Sequence, residues 1–596
     1  MSSSGGGSAT IIATPLPLKR HDMSEQELKL SIPLAARTGV AREMQRRDAK
    51  RIKLHAMYFD TPSRALARAR IALRLRQEGD SWMQTLKMPG ADAITRVEIN
   101  HPRPGPVLDL SVYAGSDVEA ALAAIEEPLG LRYETDVQRI VRKVRTSKGT
   151  VEIALDSGEI RAGAFALPLH ELEFELISGQ VAAIFDVARG WHERHGLVLD
   201  PRSKSERGDA LAALAQDLNY QPVVEAGSSY TSAELKKRAA RIAAFWGPRT
   251  IKATHLRPTM NAGDALATVT AECLDQVTRN AAILAEVDTH NVYEAGGPDH
   301  VHQLRVGVRR LRSAWKLFDG VATLPPDSLQ ARVRDHFGGF GANRDQDVQK
   351  ATILPKLQAA GMPELPPLPA QDGDDSATLA RSKAFQSVLL DMLEWSVTPQ
   401  PSVAAVAAMA EAMRPATASA HPDAQSAQGS SDAEGDAAIQ TDPTENPAGH
   451  IVPTIIPLIP AGDIPALDGV LLDKLQSLHR QIVKRGKRFT ALEIEQKHAL
   501  RKRVKLLRYS LGFCESLLSN ARLRAYRKPL GVVQDILGDF NDLAVAHDGY
   551  AARVKEAPAA WFAVGWLAAK QALLVDRAQD AFVDLGRAPE FWKKHS

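Results

Sequence analysis

The sequence predicts a multidomain chain, a strand-rich α+β half followed by an all-α half, and three observations carry that expectation. Its 596 residues exceed what one hydrophobic core supports, since single cores stop growing near about 250–300 residues. Between about residues 18 and 215, short runs alternate apolar and polar positions between Gly, Pro, Asp and Ser, which is strand periodicity. From about residue 262 onward the pattern becomes Ala- and Leu-rich at helical spacing.

Residues 1–17 are small and polar and read as a disordered leader. The strand runs that follow are SEQELKLSIP, HAMYFDTP, IALRLRQE, SWMQTLKM, TRVEIN, TVEIALDSGEI and HELEFELISG, interrupted by helical stretches near 116–127 and 180–195. Residues 216–255 carry few strand signals and read as a linker. Within the helical half, 365–376 reads as a loop. Residues 415–461, rich in Ala, Ser, Asp, Gly and Pro without a steady period, read as a disordered insertion.

Charge and cysteine content narrow the function classes. Lys plus Arg total 74 against 71 Asp plus Glu, so no global field selects a partner and local clusters must. Cys273 and Cys514 are the only cysteines, too few and too far apart for a disulfide framework or a thiolate metal site. The N-terminus lacks a signal-peptide pattern and no run of about 18 apolar residues occurs, so a cytoplasmic protein without a membrane anchor is expected.

Side chains on a strand alternate between faces, which puts Glu25, Glu27 and Lys29 together, opposite Leu28 and Leu30. Arg74 and Arg76 repeat the pattern with cations; Glu171, Glu173 and Glu175 repeat it with carboxylates; Lys87, Arg96 and Glu98 add single charges. On an open sheet such faces are solvated and cross-strand pairs contribute only about 0–1 kcal/mol each. In a closed barrel they would form a charged interior, costly to desolvate, that suits a polyanion on the cations and a hard divalent ion on the carboxylates.

EQELK, YFDTP, LRLR, LK, VEIALDSGEI, ELEFEL and SKSERG, in that order over about residues 22–208, resemble the CYTH superfamily of triphosphate tunnel metalloenzymes, whose E-x-E-x-K signature the first of them matches. The resemblance implies an eight-stranded antiparallel β-barrel tunnel. It further implies Glu25, Glu27, Asp156, Glu171, Glu173 and Glu175 as ligands for Mg2+ or Mn2+. Lys29, Arg74, Arg76, Lys87, Arg96, Arg139 and Lys204 correspond to the cations that hold phosphates, and Glu25, Glu27 and Lys29 to the catalytic signature. Tyr58 and Asp60 read as structural. Inorganic triphosphate is the expected substrate; thiamine triphosphatase or class IV adenylate cyclase activity, and a non-catalytic polyphosphate-binding protein, are the alternatives.

The helical half contains a repeat. HQLRVGVRRLRSAWKLF begins at His302 and HALRKRVKLLRYSLGF at His498, and each is followed by an Asp-containing helix end, at Asp345 and Asp542. His302, Arg305, Arg309 and Arg312 fall at i, i+3, i+7 and i+10, and so do His498, Arg501, Lys505 and Arg508. No acid interleaves them, so either a polyanion or carboxylates of neighbouring helices must relieve the repulsion. Both signatures, over about 256–596, resemble the CHAD family, which implies two four-helix bundles related by pseudo-symmetry. It also implies polyphosphate contacts through these eight residues, at polyphosphate granules, with Arg310, Lys502 and Arg503 beside them. Nucleic acid is not the expected partner, because only Trp315 and Tyr509 lie near enough to stack on bases. Oligomeric state has no signature.

Overall fold

The computed structural model describes residues 24–46, 48–218, 231–286, 296–348, 352–366, 375–400 and 467–592. The leader 1–17, the insertion 415–461 and most of the loop 365–376 lie outside them.

Eight antiparallel strands form the first half: β1 Ser24–Ser31, β2 Lys50–Asp60, β3 Ala72–Glu78, β4 Ser81–Pro89, β5 Thr95–Arg103, β6 Gly130–Arg145, β7 Gly149–Ala162 and β8 Phe165–Gly179. Their hydrogen-bonded order is β5-β4-β3-β2-β6-β7-β8-β1, and β5 pairs with β1, closing a barrel. A two-residue β9, Val198–Leu199, adds to the end of β1. Directly paired residues share a face, so the register tells which side chains point inward. Lys29 pairs with Glu173, Glu171 with Asp156, Asp156 with Arg139, Ala56 with both Thr135 and Arg76, Ala72 with Lys87, Lys87 with Glu98, and Arg96 with Glu25. The circuit returns to β1 on the face it left, so the charged positions of all these strands share the interior.

The opposite faces carry the core. Leu28, Leu30, Ile153, Leu155, Leu172 and Phe174 are buried outside the barrel under helix α2, Ala182–His195, which lies C-terminal to α1, Arg37–Met44. Strand β6 falls where the alternation marks no strand, because its polar residues occupy both faces; neighbouring β2 and β7 organise it through pairing along most of its length. The expected helix at 116–127 shrinks to Glu119–Ala123. Residues 232–243 of the expected linker form a helix capped by a reciprocal Thr231–Glu234 box.

Helix α3, Lys204–Asp217, fills one barrel end. Its Leu211 and Ala212 pack on inward-facing Ala56, Tyr58, Tyr133, Ile160, Ala162 and Leu167, giving the tunnel an apolar floor. Ser203 caps the helix by accepting a hydrogen bond from Glu206 N at 3.1 Å. Gly208 makes the approach possible, since a Cβ there would overlap the Tyr133 ring.

The longer helices of the second half form two sets of four: α4 Ala262–Ala285, α5 Pro298–Phe318, α6 Asp327–Val348 and α7 Lys383–Val397; then α8 Leu467–Gly486, α9 Ile494–Phe513, α10 Asn520–Ala551 and α11 Ala560–Gly586. The histidine-led helix is second in each set, and α5 packs against α9. The helical half also docks on the barrel half. Arg189 of α2 bonds Asp391 at 2.8 Å and pairs with Glu394 of α7, while Leu199 N donates to Gln386 Oε1 at 2.8 Å. One hydrophobic cluster runs through both halves.

Gly208→Val should lower stability by about 1–3 kcal/mol, because backbone or Tyr133 must shift to admit the side chain. Urea unfolding would show a reduced midpoint for Gly208→Val and little change for Gly105→Ala, where a Cβ meets open space.

Candidate active site

Strands β7, β8 and β1 lie side by side and bring Glu152, Asp156, Glu171, Glu173, Glu175, Glu25 and Glu27 to one wall. Around the ring stand β3 and β4 with Arg74, Arg76 and Lys87, flanked by Arg96 on β5 and Arg139 on β6. Every barrel-strand residue singled out from the sequence therefore faces the lumen. Lys204 enters from α3 at the floor.

Near the floor acids and bases pair closely. Arg139 donates to Asp156 through both Nε and Nη2 at 2.7 Å each, and to Glu173 Oε2 at 2.6 Å. Lys204 Nζ lies 2.7 Å from Asp156 and 2.8 Å from Glu173 and also bonds Glu171, which a second cation, Arg207, contacts. Asp156, Glu171 and Glu173 each offer an oxygen within 4.8 Å of the others, so the Lys204 ammonium occupies what is otherwise a three-carboxylate cation site. Burial works against the charged form of Glu173, yet Lys204, Arg139 and Lys29 hold its carboxyl well below the usual range. Asp156 is lowered by Lys204 and Arg139 against the same opposition, and Lys204 is raised by the three carboxylates.

Farther from the floor the balance changes. Lys29 Nζ donates to Glu27 at 2.7 Å and lies 3.7 Å from Glu173; Arg96 Nε lies 3.8 Å from Glu27. Among the described residues Glu25 has only Lys87, at 3.7 Å, as a cation within ion-pair distance. Burial, reinforced by Glu98 and Glu175 and opposed by Lys87, pushes Glu25 up to about 8. Burial and then Glu152 raise Glu175 as well. Paired register places Glu27 beside Glu175 and Glu175 beside Glu152, so carboxylates gather here without cations enough to match them. Their oxygens are hard donors, and this local excess of negative charge fits a divalent cation.

The basic wall leaves donors unused. Arg74 Nε and Arg76 Nε are buried with no hydrogen-bond partner among the described residues. Burial, then the adjacent Arg74, lowers Arg76 to about 10, the mark of crowded cations. Glu98, read in the sequence as a single strand charge but not as a ligand, lies 3.3 Å from Arg74, contacts Lys87, and is held by them at about 2 despite burial. Its position two residues beyond Arg96 on the same face was the available signal. Glu152 and Arg207 were missed. Tyr58 stacks on Tyr133 with ring centroids 4.6 Å apart, and Asp60 accepts from Thr61 N, Leu66 N and Ala67 N at 2.7, 2.9 and 3.0 Å.

In the helical half the two stripes converge. Lys505 of α9 is surrounded by Arg501, Arg309, Asp542 and Arg305; burial, followed by the arginines, lowers it to about 7. Asp542 of α10 is thus one acid that relieves the repulsion, while the side chains of Asp345 and Asp347 lie outside the described residues. Arg309 Nε is buried without a partner among the described residues. Arg305 Nη1 donates to Phe340 O at 3.1 Å and, with Arg312, lies over the Phe337 ring. Arg508 bonds Gln534 at 2.5 Å. His302 and His498 sit half-buried a turn inside their helices. Arg310 faces away from the stripe, donating to Gln276 at 2.7 Å in the core, and Trp315 is buried and offers no stacking surface.

Removing one cation from a buried charge cluster leaves its partners uncompensated, which costs about 3–5 kcal/mol. Lys204→Met should lower unfolding stability by this order, and Mn2+ or Mg2+ should restore part of it by occupying the vacated carboxylates. Urea denaturation with and without the ion checks both effects.

Comparison with known proteins agrees with this architecture. Residues 23–208 match the model of the CYTH domain and residues 268–550 that of the CHAD domain. An inorganic triphosphatase of Haemophilus influenzae is 28% identical over 201 residues, 32% of this chain; the chain spans about half, 55%, of that relative's length. A CHAD domain crystal structure from Ricinus communis is similar at 26% identity, covering 58% of this chain and 98% of that one with a TM-score of 0.37. A Hippeastrum adenylyl cyclase candidate described as having a dominant triphosphatase activity is similar at 18% identity, covering 33% and 98% with a TM-score of 0.26. Among the described residues no helix is long and apolar enough to cross a membrane. The chain joins a CYTH domain, which forms the closed barrel, to a CHAD domain, which forms the helical half.

Proposed function

We propose that the barrel hydrolyses inorganic triphosphate to pyrophosphate and phosphate with a divalent cation, and that the helical half binds polyphosphate. The observation that carries the first part is the segregation of the lumen: unsatisfied Arg74 and Arg76 donors on one wall face under-neutralised Glu25 and Glu175 on the other. A phosphate chain satisfies the donors and a hard cation the carboxylates. The inorganic triphosphatase relative supports the choice of substrate.

Arg74, Arg76, Lys87 and Arg139 hold the chain's oxygens and stabilise charge that grows on the leaving pyrophosphate. Lys29 and Arg96 stand at the boundary between walls and orient the chain along it. Glu25, Glu27 and Glu175, with Glu98 and Glu152 nearby, would hold Mg2+ or Mn2+. Asp156, Glu171 and Glu173 would share in this where Lys204 turns from them to a phosphate. The ion would neutralise phosphate oxygens and acidify a water. The apolar floor beneath α3 keeps bulk water from that end, which strengthens each electrostatic contact.

For the second part, facing cationic stripes with a buried Arg309 donor that has no partner among the described residues suit an extended polyanion, and such binding would place a cytoplasmic protein at polyphosphate granules. Phosphate release from tripolyphosphate with Mg2+ or Mn2+ should fall by about 100-fold or more in Glu25→Gln, while Arg74→Ala raises KM. Undiminished release in Glu25→Gln would refute the assignment. Thiamine triphosphate and ATP in the same assay separate the related activities.

Lys505 is charged below about pH 7 and neutral above it, and a polyanion prefers the charged form. Polyphosphate affinity should therefore rise as pH falls from 8 to 6. Lys505→Gln should weaken that dependence, as measured by fluorescence anisotropy.

A further inference from the structure

The segment 198–207 is gripped from two sides. Toward the barrel, Asp200 N donates to Lys29 O at 3.4 Å, Lys204 reaches Asp156, Glu171 and Glu173, and Arg207 reaches Glu171. Toward the helical half, Arg202 donates to Glu286, just past the end of α4, at 2.8 Å, and Glu206 pairs with Arg279 of α4. Arg202 is only 2% exposed, with Asp200 accepting from its Nε at 2.8 Å and Nη2 at 2.7 Å and the Trp246 ring 5.0 Å beneath it. Arg279 is itself steadied by Asp275 at 2.5 Å.

The two grips differ in what disturbs them. A phosphate chain and its cation compete for the carboxylates and ammonium that form the inner grip, so Lys204 must exchange partners as the lumen fills. The outer grip involves no lumen residue and persists. An exchange of partners by Lys204 is productive only if its backbone stays fixed: β9 and the packing of Leu211 and Ala212 hold it from the barrel side, and Arg202 and Glu206 hold the first turn from the helical half.

We propose that Arg279 and Glu286 of the helical half are positioning residues for the tunnel: acting through Glu206 and Arg202, they fix the first turn of α3 and so place Lys204 against the phosphate chain. The inference rests on the triphosphate reading above. It makes the helical half a structural part of the tunnel's floor, beyond any ligand it binds itself.

The test uses full-length protein, binding of tripolyphosphate with Mg2+ by calorimetry, and phosphate release in parallel. Arg279→Gln, Glu286→Gln and Glu206→Gln should each raise Kd and KM by about tenfold with kcat within about threefold, a small displacement of one ligand group. The double variant Arg279→Gln/Glu206→Gln should be no worse than either single change within about twofold, as expected of residues acting through one contact. Arg189→Gln loosens the same interface at α2 and α7, away from Lys204, and should leave Kd unchanged. An unchanged Kd in Arg279→Gln, additive losses in the double variant, or an equal loss in Arg189→Gln would overturn the proposal. If the unsubstituted protein binds without hydrolysing, the hydrolytic reading fails and the Kd series still decides positioning. If it does not bind either, both readings fall together.

Discussion

Enclosure of charge is the constraint on which the structure depends. A carboxylate or guanidinium withdrawn from water costs several kcal/mol unless partners replace its hydration. The closed register of the eight strands turns carboxylates of β1, β5, β7 and β8 and cations of β1, β3, β4, β5 and β6 inward together. Much of this charge is compensated internally, most tightly where Arg139 and Lys204 bind Asp156, Glu171 and Glu173. Compensation stops where β3 leaves two guanidinium donors unused and where β1 and β8 crowd carboxylates together. Those defects are complementary in sign and lie across the ring from one another, so the proposed metal-bound phosphate chain would correct both at once.

The same physics at lower burial operates in the helical half. There α5 packs against α9, and burial, followed by the arginines of both stripes, lowers Lys505, with Asp542 opposing them. The two halves thus present related charge patterns in different geometry, an enclosed lumen and a flanked stripe. They are also physically continuous: α2, β9 and α3 pack or pair on both sides, and the salt bridges of Arg189, Arg202 and Glu206 cross between halves.

Much of this was legible in the sequence because period-2 alternation names a strand's inward face whatever the sheet's closure. Glu25, Glu27, Lys29, Arg74, Arg76, Glu171, Glu173 and Glu175 were readable in that way. Closure itself was not, since the pairing of β5 with β1 is a long-range fact with no local pattern; it came from resemblance. Strand β6 hid because its charges are spread over both faces. Glu152 hid as a single carboxylate, and Glu98, visible as a strand charge, gains its setting only from Arg74 and Lys87 on neighbouring strands. Arg310 misled in the opposite direction: its place in a basic run suggested a surface contact, whereas α4 supplies Gln276 to bury it.

The most direct measurement is a crystal structure of the protein with tripolyphosphate and Mn2+, using anomalous scattering to locate the ion. The account requires the phosphate chain inside the barrel against Arg74 and Arg76, with the ion beside Glu25 and Glu175. A chain bound only outside the barrel, with the lumen pairs of Lys204 and Arg139 undisturbed and no ion near the carboxylates, would contradict it.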